Sequence, residues 1–251
     1  MGSTIFITGT GTGVGKTVLS ALLTVHLRAS GVRALAMKPY CSGSLDDSKL
    51  LEAANEGELS LKQITPVFCA KPLAPLAALE RTDTLDVLRV AKEAIATNRE
   101  ECDVLIIEGI GGAAVPLAPS YSVADLIAEI ADHQIIVGKN RLGIINEIML
   151  TDYFLSGVGK PGSTVVLMGE ASSGLSANSN SSMLKEVLKH SHLAEIPFLG
   201  GEVSNIVGIE AHRIKITKTL VQISNWVKFI SAGRRSGNKL QKKAKTTDQQ
   251  S

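Results

Sequence analysis

The chain is 251 residues long, with 44% hydrophobic and 4% aromatic side chains. That length suits one large α/β domain or two small ones with a substantial core, and so few aromatic residues argue against a stacking platform for nucleic acid. The formal net charge of +2 is uneven, because residues 231–251 hold six Lys/Arg against one Asp, a surplus of +5 that leaves the body at −3 and implies no basic domain surface.

Cys41, Cys69 and Cys102 are odd in number and far apart. They match neither a metal-ligand spacing nor a disulfide framework, which suggests a reducing cytosol. The start has no basic n-region, and Phe6 stands where myristoylation wants Ser or Thr. No apolar stretch approaches the length of a bilayer span. A soluble, cytoplasmic protein with no membrane or nucleic-acid partner is expected.

In chain order, Thr4–Thr8 reads as a buried strand. Gly9, Gly11, Gly13 and Gly15 follow, and Lys16-Thr17 opens a helix predicted to run to Ser30, with Gly31 at its C-terminal end. A second strand is expected over Val32–Met37, stopped by Lys38-Pro39. Tyr40–Asp47 reads as a loop and Lys49–Asn55 as a short helix. Ile64–Ala78, with Pro66, Pro72 and Pro75, reads as an irregular cover over the strand ends. A helix over Asp83–Asn98, capped by Thr82 or Thr84, leads to the apolar strand Asp103–Ile107, typical of the centre of a parallel sheet.

Further on, the periodicity predicts helix Val123–Ile130, strand Gln134–Val137, helix Ile144–Leu155 and strand Thr164–Met168. Glu170–Ser182 reads as a loop, Met183–Lys189 as a short helix and Ile196–Leu199 as a short strand. Ala211–Ile230 is expected to be the last helix. Residues 231–251 lack apolar periodicity and are expected to be disordered, which makes 1–230 a single domain. Alternating strands and helices mean a doubly wound, mainly parallel α/β sheet with ligands at the carboxyl ends of its strands.

The strand, glycine-rich turn and helix from Thr4 to Val18 form a phosphate cradle of the P-loop NTPase type. Backbone N–H groups of Thr12, Gly13, Val14 and Gly15 converge on an anion, aided by the helix dipole. Lys16 would reach the β- and γ-phosphates, and the Thr17 hydroxyl would ligate Mg²⁺. The strict pattern is displaced: Thr10 stands at its first position, with Gly9 one residue earlier. By topology Lys38 and Glu108 fall on the same sheet edge. A carboxylate ending an apolar strand suits Mg²⁺ as well as a solvated strand end, and the glycines just beyond Glu108 favour the former.

Thr8-Gly9-Thr10-Gly11-Thr12-Gly13-Val14-Gly15-Lys16-Thr17, Lys38-Pro39-Tyr40-Cys41-Ser42-Gly43 and Glu108-Gly109-Ile110-Gly111-Gly112 resemble dethiobiotin synthetase in order and spacing. Val115-Pro116-Leu117, Leu142-Gly143-Ile144-Ile145-Asn146 and Glu195-Ile196-Pro197-Phe198-Leu199 fit as well, and the displaced glycine is the form that family shows. The resemblance implies ATP-dependent closure of a cyclic urea from 7,8-diaminononanoate and CO₂ through a phosphorylated carbamate. It implies Lys16, Lys38 and Ser42 as catalytic residues, and Thr12 to Val18 around the nucleotide. Thr17, Asp47 and Glu108 would hold Mg²⁺, while Gly111 and the helix N-terminus Gly143, Ile144, Ile145 and Asn146 would meet the substrate. A homodimer is implied too.

The chain departs from the family at Gly11 and Leu76, where acidic and histidine residues are usual. Gly169-Glu170 stands where the family carries an Asn-Asp pair that reads adenine, so the choice of base is open. Another P-loop amide- or ring-forming ligase stays open, as does a nucleotide switch of the partitioning-ATPase kind. A homologue that binds nucleotide without turnover is a third alternative. The Lys38–Gly43 segment and the lack of an extra lysine early in the loop count against the first two.

Overall fold

The computed structural model describes residues 2–79, 84–172, 174–188 and 191–226. Its elements in order begin with β1 (Ser3–Gly9), α1 (Lys16–Ala29), β2 (Ala34–Met37), β3 (Tyr40–Ser42) and α2 (Asp46–Ala54). Next come α3 (Leu61–Ile64), β4 (Val67–Cys69), α4 (Pro75–Ala78), α5 (Thr84–Glu100) and β5 (Val104–Glu108). The chain continues through β6 (Pro116–Ala118), β7 (Tyr121–Ser122), α6 (Val123–Ile130), β8 (His133–Lys139) and α7 (Ile144–Gly157). It ends with β9 (Thr164–Met168), α8 (Ala177–Val187), β10 (His192–Ile196), a 3₁₀ turn at Gly201–Ser204 and α9 (Ile206–Lys215).

Among the described residues one six-stranded sheet runs in the order β10-β9-β8-β1-β5-β2, and every neighbouring pair in it is parallel. The doubly wound α/β reading holds. Ile5, Phe6 and Ile7 of β1 and Leu105, Ile106 and Ile107 of β5 are all buried, as strands covered on both faces must be. Register decides what the strand ends carry. Met37 pairs with Ile107 and Ile7 with Glu108, so the residues that follow β1 and β2 converge beside the end of β5.

The elements depart from the sequence reading in several places. Tyr40–Asp47 is not all loop: β3 pairs in parallel with β4, Ser42 beside Cys69, and α2 begins at Asp46. Ile64–Ala78 is therefore a strand and a short helix rather than irregular cover. The hairpin of β6 and β7, which turns through Ser120 at φ 57, was not anticipated. β10 ends where the predicted Ile196–Leu199 begins, because Pro197 has no N–H for the ladder and Leu193, Ala194 and Ile196 are the residues buried against β9.

α8 starts inside the predicted Glu170–Ser182 loop. Its serines and asparagines are poor helix formers, but Asn180 donates to the Asn140 side chain at 2.9 Å and to the Arg141 carbonyl at 3.1 Å, and Leu184 is fully buried. The last helix begins at Ile206, capped by the Asn205 side chain on Gly208 N–H at 3.0 Å, breaks at Ile216 and resumes over 217–226. Residues 227–251, Thr82 and Asp83, and Lys189 lie outside the described residues, and so do the predictions made for them. None of the described helices is long and apolar enough to cross a membrane.

Candidate active site

The glycine loop leaves β1 and delivers Gly15 as the residue before α1, with φ 102. A Cβ there would lie 3.0 Å from Met168 Cγ of β9, so glycine serves both the backbone and the close approach. The first-turn N–H groups of α1 have no intrahelical partners and are available to an anion. Lys16 is buried, and its Nζ reaches back to donate to the Gly11 carbonyl at 2.7 Å. Burial pulls its pKa down to about 8, with Glu108 acting in the opposite sense.

Lys38 follows β2 and Glu108 ends β5. Their charges meet with Lys38 Nζ 2.7 Å from Glu108 Oε1, and the same ammonium donates to Asp47 of α2. Burial works against the Lys38 ammonium, but Glu108 and Asp47 outweigh it and raise the pKa above the ordinary lysine value. Lys38 is therefore a permanent cation. Thr17 Oγ1 donates to the same Glu108 oxygen at 2.9 Å. Glu108 is 1% exposed, and its Oε2 has no hydrogen-bond partner among the described residues. A buried anionic oxygen without a donor fits a bound cation.

A cleft of about 400 Å³ opens over these groups. The predicted Thr12, Gly13, Gly15, Lys16, Thr17 and Val18 line it from the loop and α1. Lys38, Ser42 and Asp47 face it from one side, and Glu108 and Gly111 from another. Cys41 and Ile110 line it as well and were not singled out from the sequence. Burial pushes the Cys41 thiol up, so it stays neutral. Val14 is elsewhere: it borders a second cavity of about 120 Å³ beyond the loop, walled by Met168, Gly169, Pro197–Gly200 and Val203 with Lys139 at its edge.

The cleft thus combines two buried ammonium groups and a buried carboxylate beside the glycine loop. Residues 3–203 fit the family described as an AAA domain. The ATP-dependent dethiobiotin synthetase of Methanococcus vannielii is 38% identical over 163 residues, 64% of this chain and 75% of that one. That of Bacillus velezensis is 34% identical over 203 residues, 78% and 84% of the two chains. The chain belongs to the dethiobiotin synthetase family.

Solved structures outside the dethiobiotin synthetases share its fold. A ParA family ATPase from Chlorobium tepidum TLS aligns with a TM-score of 0.54 at 16% identity, over 90% of this chain and 98% of that one. The cell division ATPase MinD of Pyrococcus furiosus gives 0.55 at 17%, over 92% and 100%. At such identities the likeness speaks for the fold and not for the activity.

The segment that the dethiobiotin synthetase resemblance gives to substrate, Gly143, Ile144, Ile145 and Asn146, does open α7, with Gly143 at φ 92. None of the four lines the phosphate cleft or the smaller cavity within one chain. The connection runs through Glu147, which accepts from Thr10 Oγ1 of the loop at 3.0 Å and pairs with Arg141 at 2.7 Å. Nothing in local periodicity marked Thr10, Glu147 or Arg141, since the tie spans 137 positions.

Proposed function

We propose that the chain is a working dethiobiotin synthetase, and that its reacting groups are those gathered on the cleft floor. One amine of 7,8-diaminononanoate adds CO₂ to give a carbamate. A carbamate oxygen attacks the γ-phosphorus of ATP, and ADP leaves. The second amine then attacks the carbonyl carbon, the ring closes as a urea and inorganic phosphate departs.

The observation that carries this reading is Lys38, a buried ammonium kept charged by two carboxylates beside the phosphate loop. Two anions, carbamate and triphosphate, must be brought within bonding distance, and fixed cations in a poorly hydrated cleft are what make that affordable. Lys38 and Ser42 would hold the carbamate, and Lys16 the transferring phosphoryl group. Thr12 and Gly13 would follow the phosphate chain, with Gly111 at the substrate side. Thr17, Asp47 and Glu108 would hold Mg²⁺, for which the partnerless Glu108 Oε2 is suited; bound there, the ion would neutralise phosphate charge.

The N-terminus of α7 would receive the substrate carboxylate, contributed across a homodimer. In favour of that assembly, α7 and the turn before it present Leu142, Leu150 and Tyr153 to solvent at 81%, 61% and 81% exposure, a concentration of exposed apolar surface that suits an interface. Cys41, Cys69 and Cys102 are free thiols, in keeping with a cytoplasmic setting.

The test is ADP release with Mg²⁺ and nucleotide, measured without co-substrate, with each alone, and with diaminononanoate and bicarbonate together. Release that requires both and yields a stoichiometric cyclic urea is expected. ADP release indifferent to the two together would assign the chain to a switch or to another ligase.

A further inference from the structure

Among the described residues β2 is an edge strand of the six-stranded sheet, so the backbone groups on its outer side need partners from elsewhere. Ala36 finds both in one side chain. Its N–H donates to Asn55 Oδ1 at 2.7 Å, and its carbonyl accepts from Asn55 Nδ2 at 2.9 Å. Lys38, the next residue to face that way, lies beside the segment leading into β4, and its N–H donates to the Ile64 carbonyl at 3.0 Å. A parallel rung would be completed by the N–H of residue 66 donating to the Lys38 carbonyl. Residue 66 is proline and has no N–H.

The Thr65 hydroxyl takes that place, donating to the Lys38 carbonyl at 2.9 Å. With its one proton spent there, it accepts from Ser48, whose Oγ lies 2.6 Å away. Ser48, Thr65 and Lys38 are all buried, and neither hydroxyl residue lines the phosphate cleft. Ser48 follows Asp47 on α2, and Asp47 accepts from Lys38 Nζ. One helix therefore holds the lysine at both ends, its ammonium through Asp47 and its main chain through Ser48 and Thr65.

We propose that Thr65, oriented by Ser48, is a positioning residue for the reaction. Its hydroxyl fixes the peptide from which the Lys38 side chain sets out, and a tilt of that peptide is carried along the chain to Nζ. An ammonium displaced by about 1 Å from the transferring group costs on the order of a hundredfold in rate. The inference rests on the reading of Lys38 as the cation that serves that group.

The experiment compares wild type, Thr65→Val, Thr65→Ser and Ser48→Ala in the full chain. It measures steady-state ring closure, thermal unfolding, and the ¹³C NMR signal of lysine Cε, with the Lys38 signal identified by its loss in Lys38→Arg. Thr65→Val removes the donor and keeps the shape; kcat is expected to fall about tenfold, with KM for ATP within about twofold of wild type. The Lys38 signal should shift in the same variant. Thr65→Ser restores the donor and should return kcat to within about twofold of wild type, with the Lys38 signal back in place. Ser48→Ala leaves Thr65 its proton but not its orientation, and should fall between them. A hydroxyl that served stability alone would lower the unfolding temperature and leave kcat and the Lys38 signal unmoved. That outcome, or a failure of Thr65→Ser to rescue, overturns the proposal. Wild-type protein that closes no ring removes the synthetase reading instead, and the Lys38 signal then decides by itself whether Thr65 places the ammonium.

Discussion

The carboxyl edge of the sheet has two ends that solve different problems. At the ends of β1, β2 and β5, Lys16, Lys38 and Glu108 are each less than a tenth exposed, and Lys38 is locked between two carboxylates. At the ends of β8, β9 and β10 the charges are partly exposed and the walls are apolar. Groups that must stabilise developing charge in every turnover gain from burial and fixed geometry, whereas a partly exposed pair such as Lys139–Glu170 stays hydrated and exchanges partners. Buried charge also ties chemistry to stability, because removing one partner strands the other.

Lys38→Ala should break the first region most severely. Turnover is expected to drop by about a thousandfold or more through loss of a fixed cation at the transferring group, while triphosphate still binds through the loop within a few-fold of wild type. Single-turnover ADP formation beside equilibrium nucleotide binding checks this; a variant with wild-type turnover would take Lys38 out of the chemistry.

The strands of the second region carry a stability device at their opposite end. His133 of β8 bonds Thr164 of β9 at 2.7 Å, and burial, with His192 adding to it, lowers its pKa from 6.5 to about 4. Between those values the unfolded chain binds a proton that the folded chain does not, so stability is lost as pH falls through the window. The loss is on the order of 3 kcal/mol across the full window. Urea unfolding at pH 7 and pH 4.5 should show it, and His133→Gln should flatten the difference. An equal acid loss in that variant would move the effect to other groups.

Gly169→Ala tests how tightly the ends of β9 and β10 are packed. Its added methyl would meet the backbone of Phe198 and Pro197 at 2.5 and 2.9 Å, so a loss of about 2 kcal/mol in folding stability is expected, with weaker nucleotide binding. Unchanged thermal unfolding would mean that the segment after β10 yields freely. The smallest expected effect is Thr10→Val, which severs the hydroxyl contact with Glu147 between loop and α7. About 1 kcal/mol of stability should go, along with a few-fold rise in KM for the diamine and little change in nucleotide affinity. A rise confined to the nucleotide would mean that the tie serves the loop alone.

The amino-acid order by itself determined the scaffold and the inventory of the first region. The apolar strands, the glycine spacing ahead of Lys16-Thr17 and the carboxylate ending β5 are each signals confined to a dozen residues, and local backbone chemistry is enough to produce them. Only the tertiary structure decided which of those groups share space: Lys38 meets Glu108 across 70 positions and Thr10 meets Glu147 across 137, because parallel strand pairing sets neighbours by register and not by distance along the chain. It also decided where weak local preferences yield. The serine- and asparagine-rich α8 is held as a helix by its Asn180 side chain, which bonds Asn140 and Arg141, and by buried Leu184, and β10 stops at Pro197 since a ladder needs an N–H.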